Sequence, residues 1–171
     1  MSQIDAKARQ GDWFLADAAA TAALGAELAA LLLAGLDRGD GGLLLLHGDL
    51  GAGKTTLVQG LAAALGIDEP VTSPSYALAQ HYSGRLADGR ATGLVHLDLY
   101  RLEQPASADE LFDQEAEEAL ASGAVLAVEW PERLSVPPPA GWWLTLAAAD
   151  RRDPDAGRRA RLRPAGAPPA P

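Results

Sequence analysis

Residues 48–55 read Gly48-Asp49-Leu50-Gly51-Ala52-Gly53-Lys54-Thr55, the pattern G-x-x-x-x-G-K-[ST] of a phosphate-binding loop. The chain has two lysines, Lys7 and Lys54, and one of them stands where the pattern requires it. Upstream, Gly42-Leu43-Leu44-Leu45-Leu46-His47 is a short apolar run that begins at a glycine and runs into Gly48, as expected of a buried strand. Downstream, Leu57, Leu61, Ala64 and Leu65 share one helical face, and Gly66 supplies a stop. The order is therefore strand, glycine loop, helix. Gly51 and Gly53 let the main chain approach an oxyanion without a side chain in the way. The loop amides and the helix dipole then favour phosphate charge. This predicts a triphosphate site made by Asp49, Leu50, Gly51, Ala52, Gly53, Lys54, Thr55 and Thr56. Lys54 would reach the β- and γ-phosphates, and the Thr55 hydroxyl would take one position on Mg²⁺.

Around this loop, composition sets limits. A chain of 171 residues suits one domain, which we place at 1–163. Residues 164–171 contain only Pro, Ala and Gly, and disorder is expected there. The absence of cysteine excludes a disulfide framework and a thiolate metal site, and is compatible with the cytoplasm. A net charge of −9 argues against direct, tight binding of DNA or RNA. The basic exception is Arg151, Arg152, Arg158, Arg159, Arg161 and Arg163, interleaved with Asp150, Asp153 and Asp155. It reads as a solvated hairpin end, the alternative being a contact patch for a partner or an RNA phosphate. Ala18 to Leu36 is apolar but carries Glu27 and a helical stripe of Leu24, Leu28, Leu31 and Leu32. That is a core-packing helix rather than a membrane span or signal peptide.

Other elements follow from pattern. Trp13 to Leu15, Tyr76 to Tyr82, Leu94 to Tyr100 and Ala124 to Val128 read as strands. Ser83 to Gly93 reads as a hairpin connection. Ser107-Ala108-Asp109-Glu110 reads as a capping box opening a helix that ends at Gly123. Trp142 to Ala148 and Arg158 to Leu162 can pair as a terminal hairpin. The fold expected is α/β and three-layered, a P-loop nucleotide-binding domain. Its central sheet is mostly parallel with antiparallel strands, and helices cover both faces.

Such a loop needs a carboxylate at the end of a neighbouring buried strand, to brace Mg²⁺ and orient an attacking water. Asp98 follows one apolar run and Glu129 follows a cleaner one. Either alone can be a strand-end carboxylate facing water. Beside the loop, Glu129 is the stronger metal ligand and Asp98 the second acid; Lys54, Asp98 and Glu129 form the catalytic set. Thr72, Ser73 and Ser75 lie where hydroxyl loops sense a γ-phosphate, or form a simple strand-entry turn. His96, inside an apolar run, reads as a core histidine before a base. Trp130 either packs over the site, contacts a partner, or is simply buried.

Four segments taken together resemble the bacterial TsaE (YjeE) family. They are residues 48–56, Thr72-Ser73-Pro74-Ser75-Tyr76, His96-Leu97-Asp98-Leu99-Tyr100-Arg101-Leu102 and Val128-Glu129-Trp130-Pro131-Glu132-Arg133. The resemblance spans about residues 14–148, with Ser75 standing where threonine is usual. It implies an ATPase that uses ATP and Mg²⁺ to support TsaB and TsaD homologues as they form threonylcarbamoyladenosine beside a tRNA anticodon. It also implies phosphate binding at Leu50 to Thr55, metal held by Thr55 and Glu129, and an adenine near the start of the first helix. The tRNA would be met only through the complex.

Other classes compete. A guanine site normally uses an N-K-x-D loop, and the chain contains no asparagine. A small-molecule kinase would need an arginine-bearing lid, and Arg85 and Arg90 lie in a short connection. A nucleotide-switched interaction module with little hydrolysis stays open, because neither Arg101 nor Arg133 is a clear arginine finger. Without one, turnover alone would be slow and rise with partners.

Overall fold

The computed structural model describes residues 10–166. Seven strands form one sheet: β1 (Gly11–Leu15), β2 (Leu43–His47), β3 (Ala79–Arg85), β4 (Ala91–Asp98), β5 (Val125–Glu129), β6 (Trp142–Asp150) and β7 (Asp153–Pro164). Their spatial order is β1-β7-β6-β2-β5-β4-β3. The central four, β6, β2, β5 and β4, are parallel, and the three outer pairings are antiparallel. The parallel part is thus the buried middle, where strands are apolar on both faces. Leu44 and Leu46 face one core while Leu45 faces the other, so a single strand feeds both layers.

Helices α1 (Ala18–Arg38) and α2 (Lys54–Ala64) cover one face. Helix α3 (Pro105–Ser122) covers the opposite face. By length and composition α1 is apolar enough to cross a membrane. Here Leu24, Leu28 and Leu32 are buried in the core that also holds Leu57 and Leu61 of α2. The two helices cross at backbone distance. A Cβ on Gly60 would lie 1.9 Å from the Ala22 carbonyl oxygen, and one on Gly25 would lie 2.0 Å from that of Leu57. Gly60→Ala is therefore expected to destabilise by about 1–3 kcal/mol, because overpacking outweighs the gain in helix propensity. The check is a lower urea midpoint at unchanged slope; a midpoint at or above the parent's would contradict the close contact.

Several boundaries differ from the sequence reading. The Tyr76 strand starts only at Ala79, because the Leu78 N–H donates to the Pro74 carbonyl at 2.6 Å and turns the chain, leaving Tyr76 exposed. The hairpin connection contracts to Leu86–Arg90, where two main-chain bonds close a tight turn, and Gly84 and Gly93 lie within strands. Helix α3 opens at Pro105 with Gln104 as its cap, so Ser107 sits inside the first turn and makes no capping box. Proline's fixed φ suits that first position. The terminal hairpin is longer than expected. Pro164 closes β7 and the Ala165 N–H donates to the Gly141 carbonyl, so 164–166 of the proposed tail are placed; residues 167–171 lie outside the described residues.

Candidate nucleotide site

The C-terminal edges of β2, β4 and β5 meet at one end of the sheet, where open α/β sheets bind ligands. The register aligns Leu46 with Glu129 and Asp98 with Glu129, so the two strand-end acids stand side by side next to the loop that leaves β2. That loop, 48–53, reaches α2 through Gly51 at φ 76° and Gly53 at φ 104°. Side chains are strained in that left-handed region, and glycine is not.

A cleft of about 260 Å³ lies here. Asp49, Leu50, Gly51, Ala52, Gly53, Lys54, Thr55 and Thr56 line one side, and Ser73, Ser75, Asp98, Tyr100, Glu129 and Trp130 the other. All eight loop positions and both acids read from the sequence are thus brought together. Thr72 is exposed and does not line the cleft.

Lys54 is buried. Its amine donates to the Gly48 carbonyl and, at 3.2 Å, to that of Asp49. The same amine lies 4.2 Å from the centre of the Trp130 ring, a cation–π distance. Burial holds this ammonium below the usual lysine range, although Glu129, Glu132, Asp98 and Asp49 pull it upward. Trp130 covers the site from a left-handed backbone, φ 59°, and tilts against Tyr100 with ring centres 4.8 Å apart.

Glu129, 3% exposed, accepts from the Thr55 hydroxyl at 3.0 Å and faces His96 Nε2 at 3.1 Å. Both contacts use Oε1; among the described residues no hydrogen bond engages Oε2. Asp98 is held differently. Ser73 and Ser75 hydroxyls donate to its Oδ2 at 3.3 and 3.1 Å, and the Tyr100 N–H donates to its Oδ1 at 2.9 Å. The hydroxyl loop is therefore bonded directly to the second acid. The Thr55 hydroxyl and the Glu129 and Asp98 carboxylates that line this cleft are all oxygen donors, the hard type that Mg²⁺ prefers.

Lys54 is the one cationic residue lining this cleft among the described residues. The Arg101 guanidinium stacks on Tyr76 at 4.2 Å and that of Arg133 sits 5.8 Å from the Tyr100 ring; neither residue lines the cleft. Arg90 pairs with Asp37 of α1 and Arg85 donates to the Gly89 carbonyl, which holds both away from the cleft. A second cavity of about 330 Å³ adjoins the loop, lined by Asp17, Ala18 and Thr21 of the α1 start, Gly51 to Gly53, and Arg158.

Two supporting residues escaped the sequence reading. Gln59 of α2 donates to the Val71 carbonyl at 2.9 Å and holds the hydroxyl loop's entry. Arg158 donates to the Gly51 carbonyl at 3.2 Å, although the two residues are 107 positions apart. Only the β6–β7 hairpin brings them together. In the rest of the arginine cluster, Arg161 and Arg163 pair with Asp12 and hold its carboxyl below the usual range.

Compared with known proteins, residues 15–157 match the model of a family described as threonylcarbamoyl adenosine biosynthesis protein TsaE. A curated "tRNA threonylcarbamoyladenosine biosynthesis protein TsaE" from Nostoc sp. is 42% identical over 125 residues, spanning 73% of this chain and 70% of that protein. One of the same name from Treponema pallidum is 43% identical over 96 residues, spanning 56% and 64%. Among solved structures, Bacillus subtilis YdiB superposes with a TM-score of 0.62 at 27% identity, covering 93% of this chain and 87% of that one.

Proposed function

The chain belongs to the TsaE family, and from that premise we propose that it is a cytoplasmic ATPase. It binds and hydrolyses ATP with Mg²⁺ to support TsaB and TsaD homologues in forming threonylcarbamoyladenosine next to the anticodon of tRNA. It meets tRNA through that complex, and neither DNA nor a membrane takes part. The observation that carries the reading is the 3.0 Å hydrogen bond between Thr55 and Glu129, 74 residues apart. It joins the phosphate loop to a strand-end carboxylate, the pairing that metal-dependent triphosphate hydrolysis requires.

In this reading the loop amides from Leu50 to Thr55 cradle the β- and γ-phosphates, and the base lies in the cavity at the start of α1. Lys54 exchanges its carbonyl partners for phosphate oxygens, which favour its charged form. Thr55 and Glu129 would hold Mg²⁺, which would supply neutralisation of the developing phosphate charge. Asp98, fixed by three donors, orients the attacking water and takes part in proton transfer. Ser73 and Ser75 register the γ-phosphate through that same acid. With Lys54 as the one cation lining the cleft among the described residues, turnover by the chain alone is slow. An arginine supplied in trans is worth roughly 10³–10⁵ in systems of this kind. The same observation favours a second reading, a nucleotide-switched module with little hydrolysis of its own.

The test measures phosphate release from ATP with and without purified TsaB and TsaD homologues, alongside capture of those proteins from a bacterial lysate with and without ATP. Stimulation of at least about tenfold and ATP-dependent capture are expected. An unchanged rate with capture retained would favour the switch reading. No stimulation and no capture would overturn the partnership.

A further inference from the structure

Glu115 occupies a core-facing position of α3. On that helix Ala108, Leu111, Phe112, Ala116 and Ala119 all pack into the cluster between α3 and the sheet. Glu115 is only 6% exposed, and a carboxylate taken out of water is tolerated only with a counter-charge. What faces it is His81 of the edge strand β3, with Nε2 2.6 Å from Glu115 Oε2. The other ring nitrogen of His81 lies 3.4 Å from Oε1 of Glu118, three residues along the same helix. One donor atom from each of the three residues falls within 4.8 Å of the others. None of the three lines the nucleotide cleft or the cavity beside it.

We infer that His81, Glu115 and Glu118 form a second metal site, built for a divalent transition ion of the Zn²⁺ class. Charge is the first reason. Two carboxylates beside one imidazole leave a net negative charge whether the ring is neutral or protonated, and one of those carboxylates is buried. A divalent cation with a neutral ring brings the sum to zero. Donor chemistry is the second reason. One imidazole nitrogen with two carboxylate oxygens suits Zn²⁺, whereas Mg²⁺ prefers oxygen alone and keeps several waters. Placement is the third reason. Two ligands sit three residues apart on one helix, and the third stands opposite them on the sheet; the two carboxylates face different ring nitrogens, so one of them swings to the other nitrogen when the ion binds. His81 is 43% exposed, which leaves an entry path and room for water as a fourth ligand. The ion would fasten β3, the strand that the hydroxyl loop leads into, to α3. The inference is independent of the ATPase reading.

The experiment titrates the metal-stripped full chain with ZnCl₂ by calorimetry and counts bound zinc by atomic absorption. Because the oxygen donors of the cleft can also take zinc, Glu129→Gln serves as the parent. It is expected to bind one equivalent and to melt at a higher temperature with zinc present. Adding His81→Gln or Glu115→Gln should weaken that binding by more than the roughly 10–100-fold typical of losing an outer-shell partner. Should Glu115→Gln fail to fold, Glu118→Gln at an exposed position makes the same comparison. A folded parent that binds no zinc, or variants that bind it as tightly as the parent, would overturn the site.

Discussion

Lys54→Ala is expected to weaken ATP binding at least about 100-fold, equivalent to roughly 3 kcal/mol, the scale of removing one partner from a buried charge pair. The alanine leaves triphosphate charge facing a cleft with no other lining cation among the described residues. The loop amides remain, so binding should weaken rather than vanish. Because burial disfavours the Lys54 ammonium, its removal need not cost stability. Calorimetry should therefore report a large affinity loss while the thermal midpoint stays near that of the parent. Affinity within about threefold of the parent would remove Lys54 from phosphate recognition.

Glu129→Gln should have the complementary effect. Turnover in the presence of partners is expected to fall at least about 100-fold, while ATP affinity changes by less than about fivefold. The amide keeps the shape of a residue buried between the Thr55 hydroxyl and His96 and removes only the charge. The effect must therefore come from charge at the metal position rather than from a cavity. Glu129→Ala should lose turnover as well, with an added stability cost. Steady-state rates at saturating MgATP distinguish the cases, and a rate equal to the parent's would exclude Glu129 from the mechanism.

Much of this arrangement is legible in the sequence because it is local. The phosphate loop announces itself through spacing, and β2 and β5 through unbroken apolar runs between turn signals. The stripe on α1 identifies a core helix even though its overall hydropathy mimics a membrane span. What escaped depends on contacts distant in sequence or on competing local signals. Ser107 and Glu110 match a capping pattern, yet Pro105 two residues earlier claims the helix start. Tyr76 has the residue type of a strand, but the turn closed between Leu78 and Pro74 delays β3. Asp98 could be named as an acid beside the site. Its capture by Ser73 and Ser75 could not be read, since it depends on how the loop folds back across the sheet edge. Arg158 on Gly51 follows from the pairing of β6 with β7, which no spacing rule reports.

The backbone contact between α1 and α2 has a mechanical corollary. Where carbonyl oxygen meets glycine, no pliant side chain absorbs displacement, so neither cylinder can slide or roll independently. One begins at Lys54 under the phosphate loop, and the other begins at Ala18, capped by Asp17, beside the adjoining cavity. The two jaws that would grip opposite ends of a ligand are thus coupled to each other, and any adjustment on engagement would fall to the opposite rim, the serine loop and the tryptophan.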